Sequence, residues 1–306
     1  MRKRLVNTLK RILYYIFSGN IQKRLGYPRN AKLLIIHADD LGLSESENAA
    51  SIEAMGKGMV NSGSVMIPCK KFLEIADYSK TFPEADIGIH LTLTSEWASY
   101  KWEPVLPISE VPSIVDLKGL FLESNEQVNK NAIIDEVEKE YRAQIKLALS
   151  SGISLTHIDN HMFTAFSNNR ILNIYKSLGK EFMLPVLLTQ ELPVGTLIEK
   201  NAIIVDRLYY AQPEDFNKGL FNFYREALKS MKPGLNCILV HIAFDNEEMQ
   251  KITLDQISYG SIWRQTDFDF FSSEECHQLI KENNIQLITW REIRDKLIRK
   301  ASKNLN

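Results

Sequence analysis

The stretch Ile35–Ala50, IIHADDLGLSESENAA, predicts a strand that runs through a tight turn into a helix. The apolar run Leu33–Ile36 is typical of a strand buried on both faces. It leads directly into two adjacent acids, Asp39 and Asp40, and then into a turn at Gly42. The residues SESEN that follow offer several helix caps before the next apolar positions.

The paired acids are the first candidates for chemistry. In α/β folds, ligands and metals bind where a strand ends. Asp39 and Asp40 cannot both be buried and ionised without a cation, because desolvation and mutual repulsion oppose it. A solvated loop with two acids is the alternative interpretation of the local pattern. Because adjacent residues of an extended strand point in opposite directions, we expect the two acids to have different roles.

The composition is that of an ordinary globular protein: 306 residues, of which 44% are hydrophobic. The 37 Lys and Arg residues nearly balance the 38 Asp and Glu residues, so the formal net charge is −1. This balance gives no electrostatic reason to expect a nucleic acid as partner. The cysteines, Cys69, Cys237 and Cys276, are far apart and lack metal-site spacing, which suits a reducing, cytoplasmic compartment.

A basic amphipathic segment precedes the first predicted strand. Residues 1–24 carry seven Lys and Arg residues and no acid. The apolar run Ile12–Phe17 is too short to span a bilayer, and no A-x-A-like cleavage site follows it. Two interpretations remain: a helix on an anionic membrane surface, which would make the protein peripheral there, or a helix packed on the domain. We therefore divide the chain into a basic N-terminal segment, 1–30, and a single domain, 31–300.

Strand-like and helix-like patterns alternate along the domain. The predicted strands are 33–38, 64–67, 86–93, 154–158, 183–188, 202–205, 236–241 and 286–289, and the predicted helices are 47–57, 70–80, 133–149, 170–178, 214–231, 274–282 and 291–300. Such repeated units predict an irregular (β/α) barrel of the TIM-barrel type, with a doubly wound sheet as the competing α/β fold. The helix-poor stretch 94–129 is long enough to be a lid or a binding loop.

Four of the six histidines follow apolar runs at predicted strand ends. They are His90, His157, His161 and His241. In a barrel these strand ends converge on the C-terminal face, together with the paired acids. The other two histidines, one inside the first strand (His37) and one in a late helix (His277), are interpreted as structural.

Imidazole and carboxylate groups together indicate a site for a divalent ion such as Zn, Mn, Co, Fe or Mg. One Asp and two His ligands would leave positions open for water and substrate, as a catalytic site requires. In the segment HIDNH, either Asp159 or His157 could then orient a metal ligand by a hydrogen bond on the side of the ligand that faces away from the ion.

Four blocks of the sequence, ADDLGLSESEN, GIHLTLT, THIDNHMF and VHIAF, resemble the YdjC-like carbohydrate deacetylases of the ChbG/HpnK type in order and approximate spacing. The similarity extends from about Lys32 to Trp290. It implies an irregular (β/α) barrel that removes N-acetyl groups from sugars such as chitooligosaccharides, using one divalent metal ion, Mg or Zn. The implied partner is an N-acetylated saccharide, and a homodimer is left open.

The resemblance also implies roles for particular residues. Asp40, His90 and His161 match the metal ligands of the family. Asp39 matches the catalytic aspartate, and His241 matches the late active-site histidine. We therefore predict amide hydrolysis in which Asp39 is the general base and His241 protonates the leaving amine.

The remaining assignments concern residues around this centre. His157 and Asp159 fall at motif positions that imply contact with the ligands rather than with the ion. Trp97 and Trp102 could stack on sugar faces, with a packed surface loop as the alternative. Arg264 lies in a predicted loop and could bind substrate hydroxyls, and a solvated charged turn is the alternative. The acids of that loop, Asp267 and Asp269, are interpreted in the same two ways.

The chain departs from the family pattern at three places. Leu41 replaces the usual Phe, and the segment after His161 lacks the extra histidines that often follow. Ile242 stands where the family usually has Pro, a change that could shift His241.

Two other functions are weighed against deacetylation. A metal-dependent hydrolase of a phosphoester would favour more cationic side chains, and the sequence has no Gly-rich phosphate loop. A barrel that binds a sugar or a lipid-linked glycan without turnover is the non-catalytic alternative.

Overall fold

The computed structural model describes residues 19–190, 196, 199, 201–254, 256 and 258–300. These residues form one seven-stranded sheet in which the paired strands are parallel. The strands are β1 Lys32–Leu41, β2 Ser62–Val65, β3 Ile87–Leu91, β4 Ile158–Asn160, β5 Arg207–Tyr209, β6 Gly234–Val240 and β7 Ile285–Leu287. Their order is β4-β3-β2-β1-β6-β5, and β7 pairs with β1. The prediction of a parallel α/β fold in a single domain is confirmed.

Strand β1 is the centre of the sheet. Strand β6 pairs with one edge of β1 from Lys32 to Ala38, while β7 and β2 share the other edge. The side chains of Leu33–Ile36 are completely buried, because helices or chain segments cover both faces of a parallel sheet. Alternate residues of this run pack into two different hydrophobic clusters, as the alternation of side chains along a strand requires.

The smaller of these clusters lies below the C-terminal end of the sheet. Odd-numbered residues of β1 and β6, together with Ile21, Leu25 and Trp290, form it. The same alternation continues along both strands toward their C-terminal ends, where it reaches Asp39 on β1 and His241 just after β6. The polar side chains of the candidate site are therefore placed above an apolar base.

Helices cover the sheet between successive strands. Their bounds are α1 Ile21–Leu25, α2 Glu45–Lys57, α3 Phe72–Thr81, α4 Asn125–Asn131, α5 Ile134–Ser150, α6 Asn169–Glu181, α7 Pro213–Lys218, α8 Leu220–Ser230, α9 Glu247–Ile252, α10 Ser261–Phe271, α11 Glu274–Glu282 and α12 Trp290–Ile293. Short 3₁₀ turns occupy Ile108–Glu110, Pro112–Ile114 and His161–Phe166, and a π-helical turn, Arg294–Arg299, follows α12. None of the helices in the described part of the chain is long and apolar enough to cross a membrane.

The predicted irregular barrel is present in part: the sheet is curled, but within the described residues it is not a closed TIM barrel. The predicted strands 183–188 and 202–205 contribute only isolated bridges, from Ile158 to Val186 and from Thr189 to Val205. Within the described residues, no continuous ladder therefore joins β4 to β5.

Helix prediction failed in two places. The single helix predicted at 214–231 is divided into α7 and α8 at Gly219, whose φ of +91° lies in the left-handed region that glycine tolerates. Helix α10 contains Arg264, Asp267 and Asp269, which the sequence pattern places in a loop. The interpretation of Arg264 and Asp267 as a solvated turn is wrong, because α10 buries both side chains and leaves only Asp269 of the three exposed.

Most of the basic N-terminal segment, residues 1–18, lies outside the described residues, so membrane contact stays a prediction. Its described end forms α1, whose Ile21 and Leu25 pack into the smaller cluster. The Arg24 guanidinium donates hydrogen bonds to the carbonyl oxygens of Asn201 and Ala202. The division at 30/31 is likewise still a prediction.

Candidate active site

A bulge at the end of β1 directs the side chains of both paired acids, Asp39 and Asp40, into one cavity. The pairing of β1 with β2 shifts register between Ala38 and Leu41, and Asp40 has a φ of +64°. A bulge adds one residue to a strand and breaks the alternation of its side chains. Asp39 and Asp40 therefore both line the cavity, and the prediction that they point in opposite directions is wrong.

Three buried side chains, Asp40, His90 and His161, converge at the C-terminal edge of the sheet, and we call them the ligand cluster. Strand β3 carries His90 near its end, and His161 follows β4. The Oδ1 atom of Asp40 lies 3.4 Å from His90 Nε2 and 3.3 Å from His161 Nδ1. The structure thus brings together the three residues that the sequence proposed as metal ligands.

The ligand cluster fits a single divalent ion. Its three donor atoms lie within 4.8 Å of one another, and the buried Oδ1 of Asp40 has no hydrogen-bond partner. Two donors that bind one ion tetrahedrally at about 2.1 Å lie about 3.4 Å apart. The observed separations match this spacing, and nitrogen and carboxylate oxygen are donors that Zn and similar ions accept.

Asp159 fixes the ring of His90. Its Oδ1 lies 2.7 Å from His90 Nδ1, and its Oδ2 lies 2.8 Å from both Ser64 Oγ and His37 Nε2. A proton on His90 Nδ1 in this bond leaves Nε2, which faces Asp40, with a lone pair for a metal.

His37 is a site residue that the sequence interpretation missed. Its Nε2 lies 3.2 Å from Asp39 Oδ1, besides its bond to Asp159, and its Nδ1 lies 2.9 Å from Ser62 Oγ. Burial alone would lower the pKa of His37, but the hydrogen bonds to Asp159 and Asp39 raise it to about 10. A protonated imidazole between the two carboxylates offsets their repulsion.

His157, in contrast, lies below the site. Its Nδ1 is 2.9 Å from Thr156 Oγ1, and its ring stacks on Trp290 with centroids 5.2 Å apart. Gly88 leaves room for it, since a Cβ there would come within 2.3 Å of the ring. Of the two residues proposed to orient a ligand, the structure places Asp159, and not His157, against His90.

A carboxylate and an indole hold the far side of His161. Its Nε2 lies 2.9 Å from Glu96 Oε2, and its ring meets the edge of Trp102 at a centroid distance of 5.9 Å. Trp102 is buried and donates its Nε1–H to a backbone carbonyl, so it packs behind His161 and cannot stack on a sugar. Trp97 does line the cavity, and the guanidinium of Arg264 lies 5.2 Å from the centre of its ring.

Arg264 links Asp40 to a second buried carboxylate. One terminal nitrogen of Arg264 donates to both oxygens of Glu47 at 2.6 Å, and the other donates to Asp40 Oδ2 at 3.1 Å. Its Nε donates to the carbonyl of Tyr259 at 2.8 Å. These bonds use most of its donors, so Arg264 positions Asp40 and has little capacity left for substrate hydroxyls. The sequence did not indicate a role for Glu47 in the site, because helix capping alone already explains an acid in the first turn of a helix.

His241 faces the paired acids across the cavity. Its Nε2 lies 4.0 Å from Asp39 Oδ2 and 3.9 Å from Asp40 Oδ2, and its side chain is 22% exposed. The ring meets the edge of Tyr259 at 5.0 Å. Burial lowers the pKa of the imidazole. Its backbone N–H donates to Asp267 Oδ2 at 3.1 Å.

These residues line a cavity of about 310 Å³. Apolar and aromatic side chains complete its walls: Trp97, Phe163, Leu187, Tyr210, Leu239 and Tyr259. Met162 and Phe163 have φ values of 52° and 53°, a left-handed conformation that is uncommon in non-glycine residues and is enriched at active sites. A polar centre with apolar walls is typical of a site for a small molecule that has both kinds of surface.

Asp267 should make stability depend on pH. Burial raises the pKa of its completely buried carboxyl to about 7, whereas Asp in an unfolded chain has a pKa of about 3.9. Between these values the folded state binds more protons, so the free energy of unfolding falls as pH rises. Asp267→Asn removes this effect, and its stability relative to the wild type should rise by roughly 3 kcal/mol from pH 5 to pH 8. Urea unfolding of both proteins at the two pH values measures it, and an unchanged difference would contradict the expectation.

The fold and the site define a class: parallel α/β proteins with a buried His–Asp centre at the C-terminal edge of a curled sheet. Within that class, the chain belongs to the family described as YdjC-like protein, which matches residues 33–282.

Several relatives match along nearly their whole length. The carbohydrate deacetylase of Thermoanaerobacter pseudethanolicus is 27% identical over 259 residues, covering 85% of this chain and 98% of that one. The carbohydrate deacetylase of Thermus thermophilus is 28% identical over 293 residues, covering 91% and 99%. A crystal structure from Enterococcus faecalis, described with a proposed role in cellobiose-phosphate cleavage, superimposes with a TM-score of 0.73 at 26% identity and covers 86% of this chain and 99% of its own.

Proposed function

We propose that this protein is a metal-dependent carbohydrate deacetylase, which hydrolyses the acetamide of an N-acetylated amino sugar to acetate and a free amine. The observation that carries the proposal is that Asp39 and His241 face each other beside the ligand cluster in one cavity. Membership of the YdjC-like family supports it, as do relatives named carbohydrate deacetylase.

The ligand cluster would hold the ion, and the ion when bound would polarise the acetyl carbonyl and lower the pKa of water. Asp39 acts as the general base and takes a proton from the attacking water at Oδ2. The imidazole of His37 lies 3.2 Å from Oδ1 of Asp39, whereas Oδ2 faces His241 across the cavity. As the C–N bond breaks, His241, which acts in its imidazolium form, gives the proton on Nε2 to the leaving nitrogen and becomes neutral imidazole.

The two proton-transfer groups, Asp39 and His241, do not bond to each other. The distance of 4.0 Å between Asp39 Oδ2 and His241 Nε2 is too long for a hydrogen bond between them. Both groups are therefore available to the substrate and the water. Arg264 holds the carboxylate of Asp40 from the side opposite the histidines of the ligand cluster, so Asp40 is positioned before an ion arrives.

The cavity suits one sugar unit more than a long chain. Its volume of about 310 Å³ is at the lower end of the range for small-molecule sites, roughly 300–1,000 Å³. Tyr210 and Tyr259 line it and are partly exposed, so they offer aromatic surface to the apolar face of a pyranose ring, whereas Trp97 is buried with Arg264 over its ring. Further sugar units of an oligosaccharide would then lie outside the cavity.

The two alternative functions have less support. A phosphoester substrate needs cationic partners, but among the described residues that line the cavity Arg264 is the single Lys or Arg, and its guanidinium is paired with Glu47 and Asp40. A barrel that only binds glycans would not need a buried carboxylate and a histidine facing each other at 4.0 Å.

Acetate release tests the proposal. We expect the purified protein to release acetate from N-acetylated oligosaccharides, to lose this activity in a chelator and to regain it with a divalent ion. A chelator that is saturated with metal beforehand is the control. If no N-acetylated saccharide, including lipid-linked amino sugars, yields acetate in the presence of Mg, Zn, Mn or Co, the proposed function is wrong.

A further inference from the structure

His241 lies at a place where the sheet no longer fixes the backbone. Strand β6 ends at Val240, which is also the last residue of β6 paired with β1. The residue after His241 is Ile242, so no proline ring restricts the chain there. Something other than strand pairing or proline must therefore hold the imidazole in the cavity.

A buried carboxylate takes over this task. Asp267 Oδ2 accepts a hydrogen bond from the backbone N–H of His241 at 3.1 Å. Its Oδ1 accepts the phenolic O–H of Tyr224 at 2.6 Å. Asp267 is completely buried and Tyr224 is 1% exposed, so neither bond competes with bulk water.

Packing immobilises the phenol that orients Asp267. The ring of Tyr224 lies 5.2 Å from that of Phe270 and 4.7 Å from that of Phe271. Tyr224 belongs to α8, whereas both phenylalanines and Asp267 belong to α10. The carboxylate is therefore fixed from two helices.

Helix α10 also holds the acid on the other side of the cavity. Arg264 lies one turn before Asp267, and residues three apart share a helix face. Its side chain bonds Asp40 Oδ2, and its carbonyl accepts the N–H of Ala243 at 3.4 Å. One helix face thus contacts both the chain around His241 and the acid opposite it.

We propose that Asp267, oriented by Tyr224, is a positioning residue for His241 and sets the imidazole at its distance from Asp39, as an alternative to a proline after the histidine. The inference rests on the proposed function, because the position of His241 matters for the protonation of the leaving amine. Asp267 acts through the backbone of His241 and does not touch the substrate.

The test compares variants at Asp267 and Tyr224. Asp267→Leu removes the acceptor and should lower kcat on the amide substrate about 10- to 100-fold, the usual effect of losing an outer contact of a catalytic group. KM and metal affinity should stay within about twofold, because the ligand cluster is untouched. Asp267→Asn keeps an acceptor oxygen and should retain most of the activity. Tyr224→Phe is a milder change and should cause a smaller loss, in kcat alone. This variant tests the inference if Asp267→Leu does not fold.

A double-mutant cycle separates positioning from a general structural role. In a His241→Ala background, Asp267→Leu should cause no further loss, because the group that it positions is gone. Asp269→Asn, an exposed acid on the same helix, is the matched control and should behave as the wild type. Equal losses with and without His241, or an active Asp267→Leu enzyme, would overturn the inference.

A second readout does not depend on turnover. The amide proton of His241 should shift upfield in the NMR spectrum of Asp267→Leu and stay near its wild-type position in Asp267→Asn. An unchanged shift in Asp267→Leu refutes the contact on which the inference rests. If the wild-type protein releases no acetate, the proposed function fails and the inference fails with it, whereas acetate release with additive losses refutes the inference alone.

Discussion

Asp40→Asn should abolish metal binding, whereas Asp39→Asn should keep the metal and lose turnover. Asp40 Oδ1 faces two imidazole nitrogens at 3.3 and 3.4 Å, and an amide oxygen is a much weaker ligand than a carboxylate. The affinity should fall by more than the roughly 10- to 100-fold that losing an outer partner of a ligand costs. Asp39 faces His37 and His241 instead, so its replacement removes the general base, which is worth about 10²- to 10⁴-fold in rate.

Calorimetric titration of the metal into each variant, together with acetate release at saturating metal, makes the comparison. The two substitutions are chemically identical and one residue apart, so each is the control for the other. Asp40→Asn also leaves Arg264 with a weaker partner, and circular dichroism must show that the variant is folded. Equal metal loss in both variants would mean that the assignment of ligand and base is wrong.

The sequence predicted this pair of acids, but it could not predict their directions. A run of apolar residues that ends in two carboxylates is visible without a structure, and so is the placement of His90, His161 and His241 at strand ends. Alternation along a strand would have sent Asp39 and Asp40 to opposite faces. The left-handed φ of +64° at Asp40 reverses this, and it depends on a register shift against β2, a partner strand that no local pattern specifies.

His157 and Asp159 illustrate a second limit. Both match motif positions, and they lie two residues apart in an extended segment. The sequence therefore predicts that their side chains point to the same face. In the structure Asp159 contacts His90. His157 lies deeper in the sheet and stacks on Trp290. Depth along a strand is set by the register between strands, which the sequence of one strand does not contain.

Helix α10 illustrates a third limit. Its residues Arg264 and Asp267 look like part of a charged turn, because four of the six residues 264–269 are charged or amide-bearing. They are buried because each meets a partner far away in the sequence, Glu47 and Tyr224 respectively. A buried charge is tolerated only when it is paired, and pairs of this separation cannot be read from one sequence.

His241→Ala should lower the rate of amide hydrolysis by about 10²- to 10⁴-fold and leave metal binding intact. The imidazole is not part of the ligand cluster, and its Nε2 lies 3.9 Å from Asp40, beyond hydrogen-bond distance. It is, however, the side chain opposite Asp39 in the cavity, with 22% of its side-chain surface exposed. It can therefore reach a leaving nitrogen on the side away from the base.

The leaving group decides whether His241 is the general acid. An amine leaves from the tetrahedral intermediate only after it has gained a proton, whereas the phenolate of an activated acetate ester leaves without one. The rate loss caused by His241→Ala should therefore be much smaller on the ester than on the amide. Asp39→Asn removes the base needed for attack by water, so its rate loss should be comparable on both substrates. Equal losses on amide and ester in His241→Ala would mean that the imidazole binds or orients the substrate and does not donate the proton.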